Sequence, residues 1–203
     1  MVFHICVDYQ SVLTGIYYYF KASAVRTHKL SDIQTLLDEP TLKVKEIHQV
    51  RWMSVFIAVQ TIYKTLDSLI TYFTQDKDAK GKGYQKKMIQ HDFIATTLLL
   101  MDVLPVVSQW CLMFQKADID VCLIKVHVEN CKSALNDIKS GKPQYHLDIL
   151  QNEDLSVEKG KHVFRANHIV QGKQNIKSNW FVEFCRRLKT DFQMTTATWY
   201  MHL

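Results

Sequence analysis

WMSVFIAVQTIYKTLDSLITYF, residues 52–73, is the stretch on which the fold turns. Its apolar residues Trp52, Val55, Phe56, Val59, Ile62, Tyr63, Leu66, Leu69, Ile70 and Phe73 follow one another at steps of three and one, while Gln60, Lys64, Thr65, Asp67, Ser68 and Thr71 fall opposite. That spacing is the period of an α-helix with one buried stripe. The pattern predicts a single helix of about 22 residues, about 33 Å long, able to organise a bundle from end to end.

The flanking sequence agrees. Residues 10–23 and 24–38 read as two shorter helices, the second carrying Leu30, Ile33, Leu36 and Leu37 at helical spacing before Pro40 stops the pattern. LKVKEI (42–47) alternates apolar and polar over six residues, a short extended segment too brief to found a sheet. QDKDAKGKGYQKK (75–87) holds two close glycines and Lys77, Lys80, Lys82, Lys86 and Lys87, which predicts an exposed basic loop. A strongly apolar helix over 91–115 follows, with a kink expected at Pro105. Asp118 is placed to cap a further helix over about 118–139 along Ile119, Leu123, Val126 and Leu135.

From Gly141 to about Lys173 periodicity disappears, and Gly141, Pro143, Gly160 and Gly172 punctuate a polar stretch. A last helix is expected over about 178–192, with Phe181, Phe184, Cys185, Leu188 and Phe192 on one face. The expected architecture is therefore all-α, a helical bundle of about five to six helices. A helical unit over 1–139 is followed by an irregular linker over 140–175 and a basic C-terminal helix and tail over 176–203.

Composition supports long helices and excludes several classes. The chain has 203 residues, of which only 6 are Gly and 3 Pro, and 47% are hydrophobic. So few chain breakers rule out collagen-like, low-complexity and turn-rich β-sandwich folds. Cys6, Cys111, Cys122, Cys131 and Cys185 are odd in number, scattered and without a Cys-x-x-Cys pair, so a disulfide framework is not expected and a reducing intracellular compartment fits. No Asn-x-Ser/Thr site occurs. The N-terminus lacks a leading Lys or Arg and Asp8 interrupts its apolar run, which argues against a signal peptide. The apolar run from Phe93 to Phe114 is long enough to cross a bilayer, but Asp102 and Gln109 inside it favour a buried core helix and no membrane.

The formal charge of +5 is unevenly placed. Residues 1–155 balance 17 basic against 17 acidic side chains, whereas residues 156–203 hold 8 against 3. Such a tail suits a polyanion, or is simply a solvated end.

No phosphate-binding glycine loop, His-Glu-x-x-His or Gly-x-Ser-x-Gly occurs. His127 and Cys131 lie four apart, as two metal ligands on one helix face would, but no second close pair completes a site and a core cysteine is the simpler reading. His162 and His168 read as surface residues, and Asp118 and Asp120 as helix-start acids. Asp102, in an apolar run, calls for a partner such as Arg51 or a lysine. Arg51-Trp52 sets a planar cation beside the largest aromatic at the start of the best helix, a pair able to contact phosphate and stack on a base, or merely to open the apolar stripe.

IHQVRWMSVFIAVQTIYKTLDSLITYF (47–73) resembles the Arg-Trp segment of hAT-superfamily transposases and their domesticated vertebrate relatives. YYYFKASAVRTHKL (17–30) is similar to the family's Tyr/Phe-Ser-x-x-Arg-x-x-x-Leu stretch, and DFIATTLLLMDVLPVVSQWCLMFQKADIDV (92–121) to the segment that follows. NWFVEFCRRLKTDF (179–192) resembles a later helix less closely, and Cys6-Val7-Asp8-Tyr9 has Tyr where the family's Cys/Asp-x-x-His has His. The resemblance covers residues 17–138 and falls on the helical region that such transposases insert into an RNase-H-like core. The family's two aspartates precede that insertion and its glutamate follows it, so no catalytic triad carries over.

The resemblance implies a non-catalytic, transposase-derived chain, nuclear or else cytoplasmic, that binds DNA. Arg51 and Trp52 match the pair that engages flipped-out or hairpin DNA, with Lys82, Lys86, Lys87, Arg186 and Arg187 as backbone contacts. The alternative is a helical protein-interaction or self-associating module, or an inert remnant. No cofactor, metal or small-molecule substrate is expected.

Overall fold

The computed structural model describes residues 2–47, 52–115, 121–139, 156–158, 161–165 and 167–170. Seven helices occupy most of them: α1 (Val2–Lys21), α2 (Ala24–Leu36), α3 (Trp52–Lys64), α4 (Leu66–Gln75), α5 (Ala79–Met88), α6 (His91–Phe114) and α7 (Val121–Lys139). The protein is an all-α bundle. Asp118 and the helix expected over 178–192 lie outside the described residues.

The 52–73 stripe is two helices, not one. Thr65 leaves helical geometry at φ −119°, ψ 24°, although its N–H still reaches the Thr61 carbonyl and its own carbonyl accepts from Leu69 N, both at 3.0 Å. The cause is local: the Thr61 and Thr65 hydroxyls each donate to the carbonyl four residues back, at 2.8 Å, and such back-bonding bends a helix. The bend gives each half its own neighbours. α3 packs along α6, while α4 turns to α2 and α5.

A second correction concerns the basic connector, which forms α5 rather than a loop. Asp78 caps it, its carboxylate accepting from Lys80 N at 3.0 Å. Gly81 is buried against Asp76, and a Cβ there would strike the Asp76 carboxylate, so the position demands glycine for want of space. Gly83, by contrast, has nothing within 4 Å of where a Cβ would sit. The two glycines are therefore expected to respond oppositely to alanine. Gly83→Ala should stabilise the protein by about 0.5–1 kcal/mol through helix propensity. Gly81→Ala should cost about 1–3 kcal/mol from overpacking despite the same propensity gain. Urea unfolding of both variants checks this, and equal effects would contradict the packing of α5 on Asp76.

α6 is the one helix among the described residues long and apolar enough to span a bilayer, and 83% of that window is buried inside the bundle. It runs as a continuous helix through Pro105. Val59, Ile62, Leu98, Leu104, Phe73 and Leu13 form part of the core between α1, α3, α4 and α6. Asp102 is buried in α6 and is not without a partner there.

The third correction falls on the irregular linker. Three short strands, β1 (Ser156–Glu158), β2 (Lys161–Phe164) and β3 (Asn167–Ile169), form an antiparallel meander in sequence order. It docks on the helices: Phe164 and Ile169 enter the main core, and Val170 exchanges backbone hydrogen bonds with Ile89 O at 2.9 Å and His91 N at 3.1 Å. Arg165, at φ 46° in the β2–β3 turn, donates to the Tyr63 carbonyl at 3.0 Å and lies 4.2 Å from the Tyr63 ring centroid.

Candidate nucleic-acid interface

α5 has a dry side and a charged side. Gly81 and Met88 are buried and Tyr84 half-buried against the bundle, so Lys80, Lys82, Lys86 and Lys87 are left on the exposed side, with Lys77 just ahead of the helix. Ten residues rise about 15 Å. Duplex DNA carries about one charge per 1.7 Å of axis, so a helix of this length can lie across several phosphates.

What keeps this face purely cationic is the way the nearby acids are used. Tyr19 donates its phenolic O–H to Asp76, and Asp76 also accepts from Asp78 N at 3.1 Å. Asp78 is held by the Arg26 guanidinium at 3.1 Å. Arg26 stacks over the Tyr19 ring at 3.9 Å and donates to the Tyr19 carbonyl at 3.3 Å. Burial first, and the bond to Asp76 second, push the Tyr19 phenol well above its ordinary range, so it stays a donor. Both aspartates are thus engaged in joining α1, α2 and α5, although the Asp78 side chain stays a third exposed. Among the described residues no ion pair involves a lysine of this face.

The Ser-x-x-Arg-x-x-x-Leu stretch acquires a structural account from the same joint. Ser23 caps α2, its hydroxyl accepting from Arg26 N at 3.4 Å; Arg26 forms the clamp just described; Leu30 is buried. Sequence reading did not find this joint, because Arg26 and Asp78 stand 52 positions apart.

Of the residues expected at the site, the structure brings Lys82, Lys86 and Lys87 together on one helix. Trp52 is the first residue of α3, and only its backbone is described; Arg51, Arg186 and Arg187 lie outside the described residues. The chain matches no family model, no curated protein and no solved structure. The lysine face therefore rests on its geometry.

Metal-ligating residues do not converge among the described residues. Cys131 is buried, and burial, then the neighbouring Cys111 thiol, push its thiol up to about 11, so at neutral pH it is a protonated core side chain rather than a thiolate ligand.

Proposed function

We propose that this chain is a non-catalytic, nuclear, hAT-transposase-derived protein that binds nucleic acid. One observation carries the reading: five lysines without an ion-pair partner among the described residues, four of them ordered along α5, beside acids that Tyr19 and Arg26 engage. The lysines supply sequence-independent attraction to phosphate. Trp52, the first residue of α3, and Arg51, which precedes it in the sequence, supply base stacking, worth about 1–3 kcal/mol per base.

Fluorescence anisotropy of a labelled hairpin DNA at several salt concentrations tests this. Each phosphate contact contributes about 0.9 to the slope of log affinity against log salt on duplex and about 0.7 on single strands. The triple variant Lys82→Ala, Lys86→Ala, Lys87→Ala should therefore flatten the slope by about 2 to 3 and weaken binding at low salt. Trp52→Ala should lose more affinity on single-stranded or hairpin DNA than on duplex. Affinity indifferent to salt and to the triple variant would overturn the proposal.

One observation favours the second reading, a self-associating helical module: Leu112, Leu123 and Val126 of α6 and α7 are about half exposed. That reading expects self-association unchanged by salt, measured by sedimentation.

A further inference from the structure

α1, α2 and the non-helical segment 41–44 line an open cavity of about 290 Å³. Its volume lies at the lower edge of small-molecule pockets, about 300–1,000 Å³. Phe20, Leu30, Leu42 and Val44 give it an apolar wall, and the ammonium-bearing Lys21 and Lys43 also line it, while no carboxylate among the described residues does. Gln34, 1% exposed, fixes the 41–44 segment by donating its amide to Leu42 O at 3.0 Å. Farther along the segment, Glu46 ties it to α1 by accepting from the Tyr17 hydroxyl at 2.9 Å and the Tyr18 hydroxyl at 3.3 Å.

The charges around the cavity determine what it takes. Lys21 sits over the Tyr17 ring at 5.2 Å, and its ammonium is held above its ordinary range by Tyr17 first and then by Glu46, so the Glu46 carboxylate offsets it. Lys43 has no ion-pair partner among the described residues. Lys43 thus brings a positive charge beside an apolar wall, and the lining hydroxyls of Ser31 and Thr41 make no side-chain hydrogen bond among the described residues.

We propose that the α1–α2 cavity is a binding site for a small amphipathic monoanion, an organic carboxylate whose short apolar body lies on Phe20, Leu30 and Val44 while its charge meets Lys43 and the Ser31 and Thr41 hydroxyls. The site is separate from the lysine face of α5, and neither depends on the other.

The test is titration of the 15N-labelled full chain with hexanoate, hexanol and hexylammonium, read by amide shifts. Hexanoate should move the amides of Ser31, Gln34 and residues 41–44 saturably, hexanol more weakly, and hexylammonium not at all. Lys43→Ala, a change at an exposed position that leaves the fold intact, should weaken hexanoate about tenfold or more, the loss of one charge-assisted hydrogen bond. The Lys82→Ala, Lys86→Ala, Lys87→Ala variant should bind hexanoate as the parent does, which keeps this outcome distinct from that of the DNA experiment. No saturable shift at these amides, equal response to hexylammonium, or loss of binding in the α5 variant rather than in Lys43→Ala would overturn the assignment.

Discussion

Phe73→Ala is expected to lower the unfolding free energy by about 3–5 kcal/mol. Phe73 is fully buried on α4, and its ring lies 5.4–5.7 Å from those of Tyr19, Phe20, Tyr72 and Tyr84. It is the point where α1, α4 and α5 meet. Truncation removes the transfer energy of the ring, leaves a cavity that a close-packed interior fills only in part, and deletes edge and tilted ring contacts worth about 0.5–1.5 kcal/mol each. Against a typical stability of about 5–15 kcal/mol, the loss is about a fifth of the whole at the least. Urea unfolding followed by circular dichroism measures it, with Val25→Ala on the exposed side of α2 as a control expected within about 0.5 kcal/mol of the parent. A loss below about 1 kcal/mol for Phe73→Ala would mean that the aromatic cluster is not assembled as described.

Phe73 also shows what the sequence makes legible. Its membership of the core follows from the 52–73 stripe, because side chains three and four apart share a face whatever else the chain does. The break at Thr65 is hidden, since the stripe runs unbroken through it and the cause is a pair of hydroxyl bonds to the backbone. α5 was legible in part: Gly81, Tyr84 and Met88 keep helical spacing behind an Asp78 cap, but two glycines among lysines are also the signature of a loop. The meander was illegible, because strands of three and four residues are too short to establish alternation. On the lysine face, lysine density could be counted in advance, whereas the engagement of Asp76 and Asp78 depends on Tyr19 and Arg26, distant in the chain, and had no local signal.

The pH dependence of stability is expected to carry a component from Asp67 that runs opposite to that of an ordinary salt-bridged carboxylate. Asp67 stands in the first turn of α4, where it accepts a hydrogen bond from the Asn167 amide of β3. Burial first, and the charge of Glu39 second, push its carboxyl up to about 6, with Arg165 and Asn167 pulling the other way. Glu39 is itself fixed there, accepting from Ser68 N at 3.2 Å and from the Ser68 hydroxyl.

Since the folded value lies above the unfolded one, about 3.9, the folded state holds this proton more tightly than the unfolded chain. The stabilisation is complete below about pH 4 and is lost as pH rises through 6. A shift of about two units would set a ceiling near 3 kcal/mol. Asp67 is only about half buried, and water screens it, so about 1–2 kcal/mol is expected. Asp67→Asn keeps an amide oxygen to accept from Asn167 and removes the titration. The difference in unfolding free energy, parent minus variant, should therefore fall by about 1–2 kcal/mol between pH 4 and pH 7. A flat difference would show that Asp67 does not titrate differently on folding. A rising one would make Arg165 the dominant neighbour, and the meander would then be docked by an ion pair instead of by Phe164, Ile169 and the Asn167 hydrogen bond.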